Sequence, residues 1–158
     1  IRDSLLKVSG LLDTTMFGKG TLDPLMKRRS IYFQIKRSKL IPTMQLFDSP
    51  EPLVGQGARP STIISPQALM FMNNGQIRAA AMSLAGKLET EPNSQAVMVG
   101  YQTVIGRAPS LREKQAILAF ITKQEESYRE VDRNDARKLA LADFAQVLFG
   151  LNEFVYVN

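Results

Sequence analysis

Residues 136–149 read Ala136-Arg-Lys-Leu-Ala-Leu-Ala-Asp-Phe-Ala-Gln-Val-Leu-Phe149, and this stretch decides the fold. Leu139, Leu141, Phe144, Val147, Leu148 and Phe149 lie on too many sides of a helix to leave a wet face. Only a helix surrounded by other elements tolerates that pattern. Gly150 ends it. Its partners are legible upstream. Ser110-Leu-Arg-Glu113 is a capping box that opens a helix burying Leu111, Leu118 and Ile121. Before it, Ser94 is positioned to cap a helix with Val97, Tyr101, Val104 and Ile105 inward and Gly106 at its end. Ile77, Ala81, Leu84 and Leu88 recur at helical spacing. Ser65-Pro66 starts a shorter helix through Leu69 and Met72, broken at Asn73-Asn74-Gly75. From Ser65 onward the chain is expected to be helical, apart from an extended Glu153–Val157.

The first sixty residues are mixed. Ile1 to Val8 reads as the end of an amphipathic helix, with Ile1, Leu5 and Val8 on one face and Gly10 as its stop. No cap precedes it and the chain opens on Ile1 rather than Met, so the helix is expected to begin upstream, in a longer protein. Leu11 to Met26 is irregular, with turns at Gly18, Gly20 and Asp23-Pro24. Arg29 to Arg37 alternates imperfectly and is expected to be a strand burying Ile31, Phe33 and Ile35, with the C-terminal extended piece as its partner. A helical turn after Pro42 would bury Met44, Leu46 and Phe47, and a long loop follows from Asp48 to Gly57. The expected fold class is mainly α, a helical domain with at most one small β-sheet or hairpin. Residues 1–158 are expected to form one domain truncated on its N-terminal side: 1–60 a mixed, basic segment and 61–158 a helical core.

Composition narrows the chemistry. The chain has no histidine and no cysteine, so it lacks the side chain that titrates near neutrality, thiol nucleophiles and the usual transition-metal and haem ligands. No cofactor is expected in this chain, and no metal site. Its apolar runs are too short to span a bilayer, and no signal-peptide core is present. Net charge is +5, and residues 1–60 carry all of it, with ten Lys or Arg against five Asp or Glu; residues 61–158 hold ten of each. Lys27, Arg28, Arg29, Lys36, Arg37 and Lys39 fall within thirteen residues that contain no acid. Such a block suits phosphate, sulfate or carboxylate groups, or an acidic neighbouring domain; a solvated strand flank is its bland counterpart. No general base accompanies it, since Asp48 and Glu51 are distant in sequence, so docking is expected rather than catalysis.

Other constellations explain themselves structurally. Glu125, Glu126, Glu130, Asp132 and Asp135 are interleaved with Arg129 and Arg133, as on a solvated helix end. Met70 and Met72 read as core filler, not as metal ligands. Gly55-Gln-Gly57 is too short for a phosphate-cradling loop. Tyr32 and Phe33 among bases are too little for a nucleic-acid platform, and no nucleic-acid partner is expected. Thr62, Gln67 and Asn73 bracket one helix as caps, and Arg107 is positioned to bond open carbonyls at the preceding helix end.

Five segments, taken in order, carry a resemblance: Ile1-Arg-Asp-Ser-Leu-Leu-Lys-Val-Ser-Gly10; Arg28-Arg29-Ser-Ile-Tyr32 leading to Leu46-Phe47-Asp48; Pro66-Gln-Ala-Leu69 with Asn73; Gly106-Arg107-Ala-Pro109; and Leu151-Asn-Glu-Phe-Val-Tyr-Val157. Together they resemble the C-terminal portion of the planctomycete secreted-domain family, domain of unknown function 1553. The resemblance implies an exported bacterial protein of several domains, periplasmic, cell-surface or extracellular, usually with cytochrome-c-like segments upstream. The family's activity is not established, so no catalytic residue carries over. What it implies here is a non-enzymatic accessory module whose partners are the upstream domains or a polyanion. The alternative is part of a binding or hydrolytic site for an anionic polysaccharide. The candidate binding residues are Arg28, Arg29, Arg37 and Arg59. Where many relatives carry a Cys or paired Arg before a Thr-rich turn, this chain has Gly57-Ala58-Arg59-Pro60.

Overall fold

The structure, a computed structural model, describes residues 1–36, 39–47 and 65–156. Among them are eight α-helices and no β-sheet: α1 (Arg2–Ser9), α2 (Pro42–Leu46), α3 (Ser65–Asn73), α4 (Gly75–Leu88), α5 (Asn93–Val104), α6 (Leu111–Glu130), α7 (Ala136–Phe149) and α8 (Asn152–Val155). The long loop expected from Asp48 to Gly57, and Arg37, Arg59, Thr62 and Val157, lie outside the described residues.

The apolar stretch 136–149 is the central helix, as its pattern demanded. Leu141, Phe144, Leu148 and Phe149 are wholly buried, and only Val147 of α7 is exposed. The main packing partners of α7 are α4 and α6. Ala80, Ala81 and Ala85 of α4 and Ala140, Ala142 and Ala145 of α7 are buried without accessible surface. Small side chains at a helix–helix contact allow close backbone approach, so the larger Leu84, Leu88 and Phe144 can fill the flanks at crystal-like density. α6 is amphipathic and exposed outward. Ile121 is buried, with Ile117, Leu118 and Phe120 partly so, but Leu111 is 81% exposed. Leu111 was expected inside; as the first residue of the helix it lies a turn short of the core face. The capping box at Ser110 and Glu113 is present in both directions.

Four further expectations are corrected. Residues 30–32 form a 3₁₀ turn, not a strand, and Ile31 and Ile35 are 77% and 83% exposed. The cause is a carboxylate: Asp3 accepts hydrogen bonds from the Ser30 backbone N–H (2.8 Å) and hydroxyl (2.6 Å), an alternative to ladder pairing. Residues 152–155 coil into α8 instead of extending, because the Phe154 and Val155 N–H groups bond to the Leu151 carbonyl and Phe154 packs its ring 5.6 Å from that of Phe149. Ser94 is not a cap; α5 begins at Asn93 after an extended Pro92. Met72, expected as core filler, is exposed, and Phe71 supplies the buried apolar side chain of α3 instead, on the helix that also buries Gln67.

α1 rests on α4 and ends as read. Gly10 takes φ +77° and its N–H reaches the Leu6 and Lys7 carbonyls. The buried Ser9 carbonyl accepts from the Ser83 hydroxyl of α4 at 2.9 Å.

Phe144 tests the core most directly. A Cβ added at Gly100 of α5 would lie 2.7 Å from its ring. Phe144→Ala is expected to cost about 3–5 kcal/mol in chemical denaturation. Gly100→Ala is expected to cost about 1–3 kcal/mol although alanine is the better helix former. In a Phe144→Leu background that second penalty should shrink; an undiminished penalty would mean the two residues do not share the contact.

Candidate functional site

Residues 11–36 form an arm laid over the N-terminal side of α1 and the start of α4, and this arm contains Lys27, Arg28, Arg29 and Lys36 of the sequence-predicted bases. Two of its stretches run side by side in parallel, joined at Asp13 with Arg28 and at Thr21 with Phe33. The Thr21 N–H donates to the Tyr32 carbonyl at 3.0 Å, and the Gln34 N–H donates to the Thr21 carbonyl at 2.9 Å.

α1 holds the arm through two adjacent charged residues. The Arg2 side chain is only 9% exposed. It donates to the carbonyls of Arg28 (2.9 Å) and Met26 and to the Ser30 hydroxyl (3.2 Å), with its guanidinium 4.7 Å from the Phe33 ring centre. Burial lowers the Arg2 pKa from its ordinary value, and the Asp3 carboxylate opposes that shift. Asp3 in turn clamps Ser30. Sequence reading singled out neither residue as functional, although both stand in the first segment of the family resemblance.

Arg28 is turned inward along the arm. It donates to the Thr15 carbonyl (3.1 Å) and to the Phe17 carbonyl, and stacks 3.6 Å over the Tyr32 ring. The Tyr32 hydroxyl accepts from the Phe17 N–H at 2.8 Å. Phe17 is therefore gripped at both ends of its backbone while its side chain is 78% exposed, at φ +64°. Left-handed backbone is uncommon for a bulky residue and persists only where surroundings impose it. Arg29 points outward, its Nε 3.9 Å from an Asp3 oxygen. Arg28 and Arg29 are thus neighbours with different tasks; Arg37 and Arg59 lie outside the described residues.

Arg107, expected to bond carbonyls at the end of α5, bonds two carboxylates and the Ala108 carbonyl instead. Its guanidinium bonds Glu113 at 2.7 and 3.0 Å and Glu153 at 2.8 Å through two nitrogens, 5.5 Å from the Tyr101 ring centre. One residue thereby ties the α5–α6 turn to α8. Bonds from Arg107, then from the Ser110 backbone, hold the Glu113 carboxyl down to about 2, and Arg107 likewise lowers Glu153. The missed signal was that Glu113, already assigned to the capping box, has a second oxygen to share.

An open groove of about 570 Å³ runs between α3, α6 and α7, lined by Phe71, Met72, Phe120, Asp143, Gln146 and Leu151 among others. Its polar members are engaged. Asp143 accepts from Arg78 (2.6 Å) and Tyr128 (2.9 Å), and Gln146 donates to the Phe71 and Met72 carbonyls. Burial, and then Asp143, raises the Tyr128 pKa. Of the acidic stretch, Glu125 pairs with Arg129 and Asp135 with Arg133. Among the described residues no group of three or more carboxylates is gathered to hold a metal ion, and no helix is long and apolar enough to cross a membrane.

These observations define a helical domain with a basic arm locked onto its first helix. The family of this arrangement is found in the chain itself: residues 1–121 match PSD1, a protein of unknown function (DUF1553), and the chain belongs to that family. The match stops before α7 and α8, so the Leu151–Val157 segment falls outside it. No curated protein and no solved structure matches the chain.

The clasp at Arg107 predicts an acid-sensitive fold. Because the folded Glu113 pKa lies below its ordinary 4.5, at about 2, its ionised form stabilises the fold. That contribution is complete above about pH 4.5 and fades as the pH falls toward about 2. The thermal midpoint should decline across this window, and Glu113→Gln should flatten the decline, Glu153→Gln less so. An identical acid profile in both variants would remove the clasp from the stability of the fold.

Proposed function

We propose that this chain is a non-enzymatic interaction module of an exported multidomain bacterial protein, docking through its basic arm onto an anionic partner. The partner is a neighbouring, upstream domain of the same polypeptide, cytochrome-c-like in the family resemblance, or a polyanion. The observation that carries the proposal is a coincidence of place. Residues 11–39 hold seven Lys or Arg against two Asp or Glu, a difference of +5 that equals the net charge of the whole chain. Both acids are tied up in local turns: Asp13 accepts from the Thr15 N–H and hydroxyl, and Asp23 from the Leu25 N–H. Lys19, Lys27, Lys36 and Lys39 are exposed, and no ion pair joins them to another described residue.

Docking is better supported than a polysaccharide-cleaving site. Arg28, one of the four candidate arginines, already serves two carbonyls and an aromatic ring. A general base would also have to stand beside the arginines, and none of the described carboxylates near the arm is free of a local bond.

Titration of the chain with sulfated and with neutral oligosaccharides, at low and high salt, tests the proposal. Binding of the sulfated probe should weaken on the order of ten-fold or more at high salt, as expected when several cations act together. Charge reversal at Lys27 and Arg29 should abolish it. Equal binding of the neutral probe, indifference to charge reversal, or turnover of either oligosaccharide would overturn it.

A further inference from the structure

The arm is apolar as well as basic. Met16, Phe17, Leu25, Ile31 and Ile35 are five of the eleven large hydrophobic side chains exposed among the described residues, and all five fall within twenty residues of this segment. Scattered exposed apolar residues are normal, but their concentration on one short segment is not. Phe17 shows that the exposure is built in. Its N–H is held by the Tyr32 hydroxyl and its carbonyl by Arg28, so the backbone is fixed in a left-handed turn, followed by Gly18 at φ +85°. The neighbouring chain presents Ile31 from the 3₁₀ turn that Asp3 clamps. Beyond it, the Lys39 N–H donates to the Lys36 carbonyl at 3.0 Å, and both lysines are exposed.

Protruding apolar side chains interspersed with lysines match an anionic bilayer surface. The apolar groups enter the boundary between headgroups and acyl chains, and the ammonium groups stay at the phosphates, their alkyl stems covering apolar surface. A soluble polyanion would use the lysines and leave Phe17, Ile31 and Ile35 in water. We infer that the arm of residues 11–36 is a peripheral membrane-docking element that seats Phe17 and its apolar neighbours in an anionic lipid surface. The inference rests on the docking role proposed above and specifies the polyanion of that reading as an anionic lipid surface.

The chain contains no tryptophan, so Phe17→Trp places a single reporter at that exposed position. Vesicles of phosphatidylcholine alone and of equal parts phosphatidylcholine and phosphatidylglycerol are the probes, with a sulfated oligosaccharide as the soluble polyanion. Val131→Trp, at the acidic turn after α6, is the control position. Indole emission from the Phe17→Trp variant is expected to move to shorter wavelength with the anionic vesicles only, while that of the Val131→Trp variant does not respond. Co-sedimentation with those vesicles should fall at least about five-fold for each of Lys19, Lys27 and Lys36 reversed to Glu. It should also fall for Phe17→Gly, whose thermal midpoint should not drop, because the lost side chain was exposed and glycine accepts φ +64°. Salt-sensitive binding of the oligosaccharide with no emission change on vesicles would overturn the lipid inference and keep the docking role. Binding to neither probe would overturn both, and vesicle binding that survives Phe17→Gly would remove Phe17 from the element.

Discussion

A helix with apolar side chains on nearly every side has to be surrounded, and most of this molecule follows from surrounding α7. Two partners alone leave it partly wet, so α4 and α6 flank it while α5, α3 and α8 contribute smaller contacts. Alanines on α4 and α7 set how close these two helices come, and Gly100 on α5 yields the space that the Phe144 ring occupies. The order of helices along the chain is then constrained. α5 and α6 must turn back sharply between them, which Gly106 at φ +81° and the Ser110 cap accomplish.

Outside that apolar centre the chain is fastened by polar groups placed at the seams. Arg2 and Asp3 fasten the arm to α1; the Gln67 side chain donates to the Leu46 carbonyl and joins α3 to the end of α2; Arg107 fastens α8 to the start of α6. Each of these three fastenings joins two of the five segments on which the family resemblance rests. Along the sequence they lie far apart, but in the fold they touch in pairs, the last of them outside the family match. Such groups specify geometry better than they add stability, since an exposed ion pair contributes little on its own.

The helical part was legible because its signals are local and repeated. The periodicity of Ile77, Ala81, Leu84 and Leu88, the capping box at Ser110, and the stops at Gly10 and Gly106 need no knowledge of distant residues. The two failures of secondary structure share one cause, a partner that sequence spacing does not announce. Alternation from Arg29 to Arg37 is a strand signal only if a neighbouring strand exists, and Asp3, twenty-seven residues earlier, offered Ser30 a stronger bond. The C-terminal Glu153–Tyr156 likewise had no strand to join, and Phe154 found Phe149 instead. In the candidate site, the basic block was readable from charge alone, but its division of labour was not. That Arg28 faces inward depends on the Phe17 carbonyl and the Tyr32 ring, neither of which sequence spacing brings near.

The grip of Arg2 and Asp3 on the arm has a consequence for how the molecule comes apart. Apart from Leu11, which packs against the core, the apolar side chains of residues 11–36 are half-buried or exposed, and hydrogen bonds and one stacked guanidinium near α1 hold the segment. A segment held that way has a free energy of opening separate from, and smaller than, that of the helices around α7. The arm can therefore peel from the surface as a cooperative unit while the core stays folded. Since its attachment runs through so few residues, a single change at position 2 or 3 would alter the fraction of time the whole arm spends open.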